Sequence, residues 1–409
     1  MYYNVKNYFK LTGKNKNRKV NKMKEYNSYV TEKASSISPF IAMDVMEKAQ
    51  ELEKGGYDII HLEVGEPDFE TPSPIKDAAI NAIKNGDTHY TNSMGKIELR
   101  EEIVRYYYRK YQVNISPEQI IVTSGTSPAM YLIFAAILEP GDEVILSDPH
   151  YACYPKIISF LEGKPVFVPA EEENGFKFDT DNIKKYITPK TKIIMINSPS
   201  NPTGTVYNEK ELAAIANLGY YIFSDEIYHG LVYQGKEHSM LEYTDKAFIL
   251  DGFSKRYAMT GWRLGYLVAP KEYIRPLQKI QQNFFICANS FSQTAGLAAL
   301  RDCDEDVKNM AEIYNQRRIF LLKRLHEIGI ATKVEPTGAF YALANIKKYS
   351  NDSFKIAFDI LNKANVAVTP GIDFGQMAEG YLRISYATSM KNLEEGMNRL
   401  QNYFINRKI

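Results

Sequence analysis

The chain has 409 residues, and 44% hydrophobic against 24% charged residues is ordinary for a folded globular protein, which excludes global disorder. Lys+Arg 50 against Asp+Glu 49 leaves a net charge of +1, so neither nucleic acid nor a membrane surface is expected as the main partner. The longest wholly apolar run, Ala129–Leu138, has ten residues, too few to span a bilayer.

The first 24 residues hold seven lysines and Arg18, and Glu25 is the first carboxylate. They lack the apolar stretch of a secretory signal. Residues 1–30 are expected to form a basic, disordered tail, and Met23 is the alternative start. Helices are predicted at Ile41–Leu52, ended by Gly55-Gly56, then at Pro74–Asn85 and Lys96–Tyr111. Seven short β-rich runs then alternate with helical stretches: Ile120–Thr123, Glu143–Leu146, Pro165–Val168, Lys192–Asn197, Tyr220–Asp225, Ala247–Phe253 and Leu264–Ala269. Several are continuous apolar runs, as strands buried on both faces require, and the alternation predicts a mostly parallel sheet in an α/β unit. A smaller α+β unit is expected from about residue 305, with strands near Ala339–Leu343, Ala367–Thr369 and Tyr381–Ser385.

Three widely spaced cysteines (Cys153, Cys287, Cys303) make no disulfide framework and no C-x-x-C, which suits a reducing cytoplasm. The six histidines show no metal-ligand spacing, so no metal is expected, and neither G-x-x-x-x-G-K-[ST] nor G-x-G-x-x-G is present. Ligands of open α/β sheets bind beyond the carboxyl ends of the strands. There the sequence places Ser124-Gly125-Thr126-Ser127 before a helix, an arrangement that cradles anions or merely caps. It also places Asp148-Pro149-His150-Tyr151, Ser198-Pro199-Ser200-Asn201-Pro202-Thr203-Gly204, Asp225-Glu226-Ile227-Tyr228, and Ser254-Lys255 with Arg263 eight residues on. Taken singly, these read as turns, caps and surface charge.

Together these strings give the chain its resemblance to class I aminotransferases of the aspartate aminotransferase family, which are pyridoxal-phosphate (PLP) enzymes of fold type I. The resemblance runs from about Ser36 to the C-terminus, on LEVGEPDFETP (62–72), HYTNSMGKIELREEI (89–103), TSGTSPAM (123–130), NSPSNPTGTVY (197–207), SDEIYHG (224–230), DGFSKRYAMTGWRLGY (251–266), PTGAFYAL (336–343) and YLRISYA (381–387). It implies a large PLP-binding domain over residues 70–304, and a small domain built from 31–69 and 305–409. It implies that Lys255 holds PLP as an imine and moves the proton from Cα, that Asp225 pairs with the pyridinium nitrogen, and that Asn201 and Tyr228 bond the ring oxygen. By the same resemblance Tyr151 stacks on the ring, where many aspartate-specific members have tryptophan. Gly125, Thr126, Ser127, Ser254 and Arg263 would hold the phosphate, and Tyr90 would reach it across a homodimer interface. Arg383, with Gly65 and Asn201, would bind the substrate α-carboxylate, and Phe340 would line the side-chain pocket or serve as core.

The resemblance further implies ping-pong transfer of an amino group from an L-amino acid to a 2-oxo acid, with 2-oxoglutarate the expected acceptor. Aspartate, alanine and aromatic donors all stay open. No arginine lies between Arg275 and Arg301, where enteric-type aspartate enzymes place one for a distal carboxylate, and Ser38-Pro39-Phe40-Ile41 offers little for that group beyond Ser38. Both features lean towards a neutral or aromatic donor. A β-lyase of the same fold, or an aminotransferase-like sensor domain without catalysis, are the alternative readings.

Overall fold

The computed structural model describes residues 29–406. The expected basic tail lies outside the described residues except for its last two positions. Residues 29–39 belong to a separate unit, and their one helix, α1 (Glu32–Ser36), starts at Thr31, whose hydroxyl accepts a bond from Ala34 N. The chain from Phe40 onward forms the second unit. Its elements in chain order are α2 (Ile41–Lys54), β1 (Ile60–His61), α3 (Ser73–Lys84), α4 (Ile97–Tyr111), β2 (Ile120–Thr123), α5 (Thr126–Ile137), β3 (Glu143–Asp148), α6 (Tyr154–Phe160), β4 (Lys164–Pro169), α7 (Thr180–Tyr186), β5 (Thr191–Asn197), α8 (Glu209–Ala216), β6 (Tyr221–Asp225), β7 (Ala247–Gly252), β8 (Gly265–Val268), α9 (Lys271–Phe284), α10 (Ser290–Asp302) and α11 (Asp304–Ile328). They are followed by β9 (Tyr341–Asn345), α12 (Ser353–Ala364), β10 (Val366–Ala367), β11 (Thr369–Pro370), β12 (Tyr381–Ser385) and α13 (Met390–Ile405).

All seven expected strands of the α/β unit are present, in one sheet of order β2-β8-β7-β6-β5-β3-β4. The ladders from β7 through β6, β5 and β3 to β4 are parallel, whereas β8 runs antiparallel to both β2 and β7. The apolar runs divide by strict alternation. Ile120, Val122, Ile194, Ile222, Ile249 and Tyr266 face one apolar layer; Ile121, Ile193, Phe223, Phe248, Leu250 and Leu267 face the other. Both faces are therefore buried, which is why these strands carry no polar–apolar alternation.

In the C-terminal part β11, β12 and β9 form an antiparallel sheet. The expected single strand Ala367–Thr369 is instead two. Val366–Ala367 pairs in parallel with Ile60–His61, and Thr369–Pro370 pairs with Leu382–Arg383. The chain changes partner at Val368, so no one ladder spans the run. A third apolar layer, holding Ile60 and Leu62 with Phe340, Ile356, Ile384 and Leu400, sits under this sheet.

This topology gathers the expected residues at one edge. The carboxyl ends of β2, β5, β6 and β7 lead into Gly125, Asn201, Asp225 and Lys255. Because β8 is reversed, its first residue, Gly265, pairs with Thr123 and with Gly252, which brings Arg263 to that same edge.

Candidate active site

Lys255 lies in the turn after β7, and its Nζ donates to the carbonyl of Gly65 at 2.6 Å. Burial draws the Lys255 ammonium down to a pKa of about 8; Glu66 and Asp225 oppose that shift, while Arg383 and Arg263 add to it. The amine is thus surrounded by four of the charges that motif reading points to or lies beside. Gly65 is a glycine for steric reasons: a Cβ there would stand 1.7 Å from the Tyr341 hydroxyl. That hydroxyl bonds the Tyr228 hydroxyl at 2.9 Å, and the Tyr228 ring meets Phe340 edge-on with centroids 5.4 Å apart. The Phe340 ring in turn lies 6.0 Å from Lys255 Nζ.

Asp225 closes β6 and is 5% exposed. Its Oδ2 accepts the Tyr154 hydroxyl at 2.7 Å and its Oδ1 accepts Ile227 N at 3.2 Å. Burial outweighs these bonds and lifts its pKa to about 6. Its carbonyl accepts the side-chain amide of Asn197, whose own oxygen accepts Asn201 N at 2.7 Å, so one asparagine ties the ends of β5 and β6 to the turn that carries Asn201.

Arg383 stands in the middle of β12, a strand with every residue buried, and is itself 2% exposed. Its Nη1 donates to Asn201 Oδ1 at 3.1 Å, and its Nη2 donates to the Glu63 carbonyl and to Thr369 Oγ1. All these acceptors are neutral, and Nε has no partner among the described residues. The rings of Tyr341 and Phe374 flank the guanidinium at 4.4 and 4.7 Å. A buried, held guanidinium without a carboxylate is ready for one from a ligand.

Gly125 precedes α5 with φ +95, a left-handed value that suits glycine, and a Cβ there would lie 2.6 Å from Arg263 Nη2. The Arg263 guanidinium thus lies directly against the start of α5, where the first helical amides are free, and the two together suit a compact anion. Thr126 opens α5, and its methyl packs on Gly252; Ser254 is buried beside Lys255. Tyr151 is half-buried, with Phe40 edge-on at 5.9 Å and Tyr154 at 5.2 Å. Tyr90 is 82% exposed and Ser127 is also exposed, and neither joins these contacts. Tyr154, Tyr341, Thr369 and Phe374 belong to the site but escape motif reading. Only Tyr341 had a signal, as a member of the PTGAFYAL string.

Among the described residues no helix is long and apolar enough to cross a membrane, and no group of three or more His, Cys, Asp or Glu could hold a metal ion. Residues 57–400 match the family model described as aminotransferase class I and II. The chain is 42% identical over 370 residues to the (5-formylfuran-3-yl)methyl phosphate transaminase of Methanocaldococcus jannaschii, covering 89% of this chain and 96% of that protein. It is 39% identical over 373 residues to aromatic-amino-acid aminotransferase 2 of Thermococcus litoralis, covering 88% of this chain and 96% of the relative. The structure of the Thermus thermophilus aspartate aminotransferase with maleate superposes with a TM-score of 0.88 at 37% identity, over 91% of this chain and 99% of that one.

Proposed function

The chain belongs to the class I and II aminotransferases and is an amino-group transferase, and from that premise we propose that it uses PLP to move the amino group of a neutral or aromatic L-amino acid to a 2-oxo acid, with 2-oxoglutarate the acceptor. The observation that carries the reading is the pairing of Lys255 with a buried carboxylate-free Arg383 across Gly65, Tyr341 and Phe340.

The residues fit the cofactor. The space at Gly125 that a Cβ would fill, bordered by Arg263 and the start of α5, suits its phosphate, with Thr126, Ser254 and Ser127 as further donors. Asp225, buried and bonded only by neutral donors, suits a protonated ring nitrogen. Lys255 would hold the carbonyl carbon through Nζ, Tyr228 and Asn201 would bond the ring oxygen, and Tyr151 would cover the ring. When bound, PLP supplies an electron sink for the bond broken at the substrate Cα.

The chain supplies binding and proton movement. Arg383 grips the α-carboxylate with the planar two-point geometry of a guanidinium, and Asn201 and the rings of Tyr341 and Phe374 keep that plane fixed. Lys255 Nζ, with its proton held loosely near neutral pH, removes the Cα proton and returns it on the acceptor side. The Gly65 carbonyl, which accepts from Nζ at 2.6 Å, keeps the amine at this side of the site when it is free.

The donor class rests on the wall of rings and on the missing arginine. Phe40 meets Tyr151 edge-on, Phe340 packs on Tyr341 and lies near Lys255 Nζ, and Tyr341 and Phe374 flank Arg383. Lys156, which packs on Phe40 at 5.4 Å, lies 3.9 Å from Asp373 Oδ1. We further propose a homodimer completed by Tyr90 across the interface, a cytoplasmic location that suits three free cysteines, and a large domain over 70–304 beside a small one over 305–409. The pairing of Ile60–His61 with Val366–Ala367 supports joining the stretch before residue 70 to the small domain.

The test is a half-reaction screen. The PLP-loaded protein is mixed with single L-amino acids while cofactor absorbance is followed. Fast change with phenylalanine or alanine as well as glutamate supports the reading. Fast change with aspartate and glutamate alone overturns the donor class, and ammonia release without an acceptor overturns the transfer.

A further inference from the structure

A buried cluster that the proposed chemistry does not use lies behind Asp225. Glu226, the next residue, is 1% exposed. Its Oε1 accepts three bonds, from Ser224 Oγ at 3.0 Å, Ser239 Oγ at 3.1 Å and Met240 N at 3.0 Å. Its Oε2 has no partner among the described residues, and His229 Nδ1 stands off at 3.6 Å while sharing a 2.7 Å bond with the Tyr111 hydroxyl. His229 is as buried as Glu226, and its Nε2 is also without a partner.

The charges around this carboxyl are already matched to other groups. Arg256 donates to Asp251 at 2.9 Å, and Asp251 also accepts the Tyr266 hydroxyl at 2.7 Å. Lys110 lies 2.8 Å from Glu237, which accepts Gly230 N at 2.6 Å. So of the acids packed here, Asp251 and Glu237 each have a cation, Asp225 faces the site and Lys255, and Glu226 has hydroxyls, one amide and a displaced imidazole.

We propose that Glu226 is a positioning residue for Asp225 and that it works as an uncharged carboxylic acid. A carbonyl oxygen satisfied by three neutral donors, with the proton on the other oxygen, needs no cation. An ionised carboxylate in the same place would be buried unpaired beside Asp225 and Asp251, at heavy cost. Burial accordingly lifts the pKa of Glu226 to about 8, and it holds the neighbouring His229 below its ordinary value. The geometry also says what the acid positions. Ser224 and Glu226 flank Asp225; their side chains are bonded to each other, that of Glu226 is also bonded to the Ser239–Met240 turn, and Glu226 N donates to the Leu250 carbonyl of β7 at 2.8 Å. The backbone that aims the Asp225 carboxylate is thereby stapled on both sides. A neutral Glu226 also leaves Asp225 as the acid free to ionise against the cofactor, so the inference rests on the PLP assignment above.

The test compares E226Q and E226A in the full-length protein by infrared spectroscopy, pH-dependent unfolding and steady-state kinetics. A protonated-carboxyl carbonyl band in the wild-type apoprotein at neutral pH, lost in E226Q, is expected, and it does not depend on activity or on PLP. Glutamine copies a neutral acid, so E226Q should keep kcat within about twofold, whereas E226A, having lost its buried acceptor, should lose about tenfold in kcat with KM little changed. The contribution of Glu226 to wild-type stability should fall as pH rises from 4.5 towards 8, because the folded state holds the proton more tightly, and the stability slope of E226Q over that range should be shallower by that share. Absence of the band, or a fall in E226Q as deep as in E226A, overturns the proposal. Failure of the cofactor reading alone would leave the band and the unfolding slope intact. E226A need not fold for the other two measurements to decide.

Discussion

Gly65→Ala adds one methyl group at the closest backbone approach in the candidate site. The new Cβ would sit 1.7 Å from the Tyr341 hydroxyl and 2.7 Å from Tyr341 Cζ, so something must move by more than an ångström to reach even a 3.0 Å contact. Tyr341 cannot yield freely, because it is buried, bonded to Tyr228 and stacked on Arg383. If the tyrosine moves, the Tyr228 bond breaks inside the core, which costs about 1–3 kcal/mol. If the Gly65 loop moves, its carbonyl leaves Lys255 Nζ. Overpacking adds about 1–3 kcal/mol in either case. The expected variant folds with a lowered urea midpoint and loses about tenfold or more in kcat/KM. Adding Tyr341→Phe to Gly65→Ala should recover part of the stability, since it removes the clashing oxygen, but not all, since Cζ remains. A Gly65→Ala protein with wild-type midpoint and wild-type kcat/KM would refute the steric account of this glycine.

Lys255→Ala should keep the fold and lose amino transfer by about 10²–10⁴-fold, as expected for removal of a positioned acid–base group; near-normal turnover would remove Lys255 from that role. Arg383→Lys keeps the charge but not the fork, so kcat/KM for amino acids should fall about 10–100-fold in half-reaction kinetics, while affinity for PLP stays. Gly125→Ala places a Cβ against Arg263 at a left-handed φ, so PLP affinity, read by equilibrium dialysis, should weaken more than substrate binding does. His61, bonded to the buried Glu63 at 2.7 Å and to Glu53, has its pKa raised to about 9 from 6.5. Its stabilising contribution is full below pH 6.5 and is lost as pH rises through 9, and His61→Gln should lower the denaturation midpoint at pH 6.5 and flatten that slope.

The strands of the large sheet were legible because burial on both faces writes itself as unbroken apolar runs; only their ends moved, as at Glu143–Asp148 for the expected Glu143–Leu146. The reversal of β8 was not legible, since a strand's direction leaves no mark in its composition. Nor was Ile60–His61, whose two residues are too short to carry a period. Loop residues at the strand ends could be named because their types repeat a known pattern, and the structure brings Lys255, Asp225, Asn201, Arg263, Gly65 and Arg383 into one connected neighbourhood. Tyr154 was missed because a tyrosine in a helix carries no sign that a carboxylate 71 positions away will need its hydroxyl. The steric duty of Gly65 was hidden for the same reason, since it depends on Tyr341.

The contacts that assemble this neighbourhood join very distant points of the chain. Lys255 meets Gly65 across 190 positions, Arg383 meets Asn201 across 182, and Arg383 meets Glu63 across 320. All seven strands of the large sheet leave the ribosome long before residue 383 has been made, and at that point the guanidinium proposed to grip a substrate carboxylate does not yet exist. Closing loops of that length also comes late in folding, because their entropy must be spent before the contact repays it. Newly made chains would thus contain the lysine and the proposed anion cradle before the proposed carboxylate fork exists. C-terminal truncations short of β12, which lack Arg383, should accordingly lose the half-reaction with amino acids.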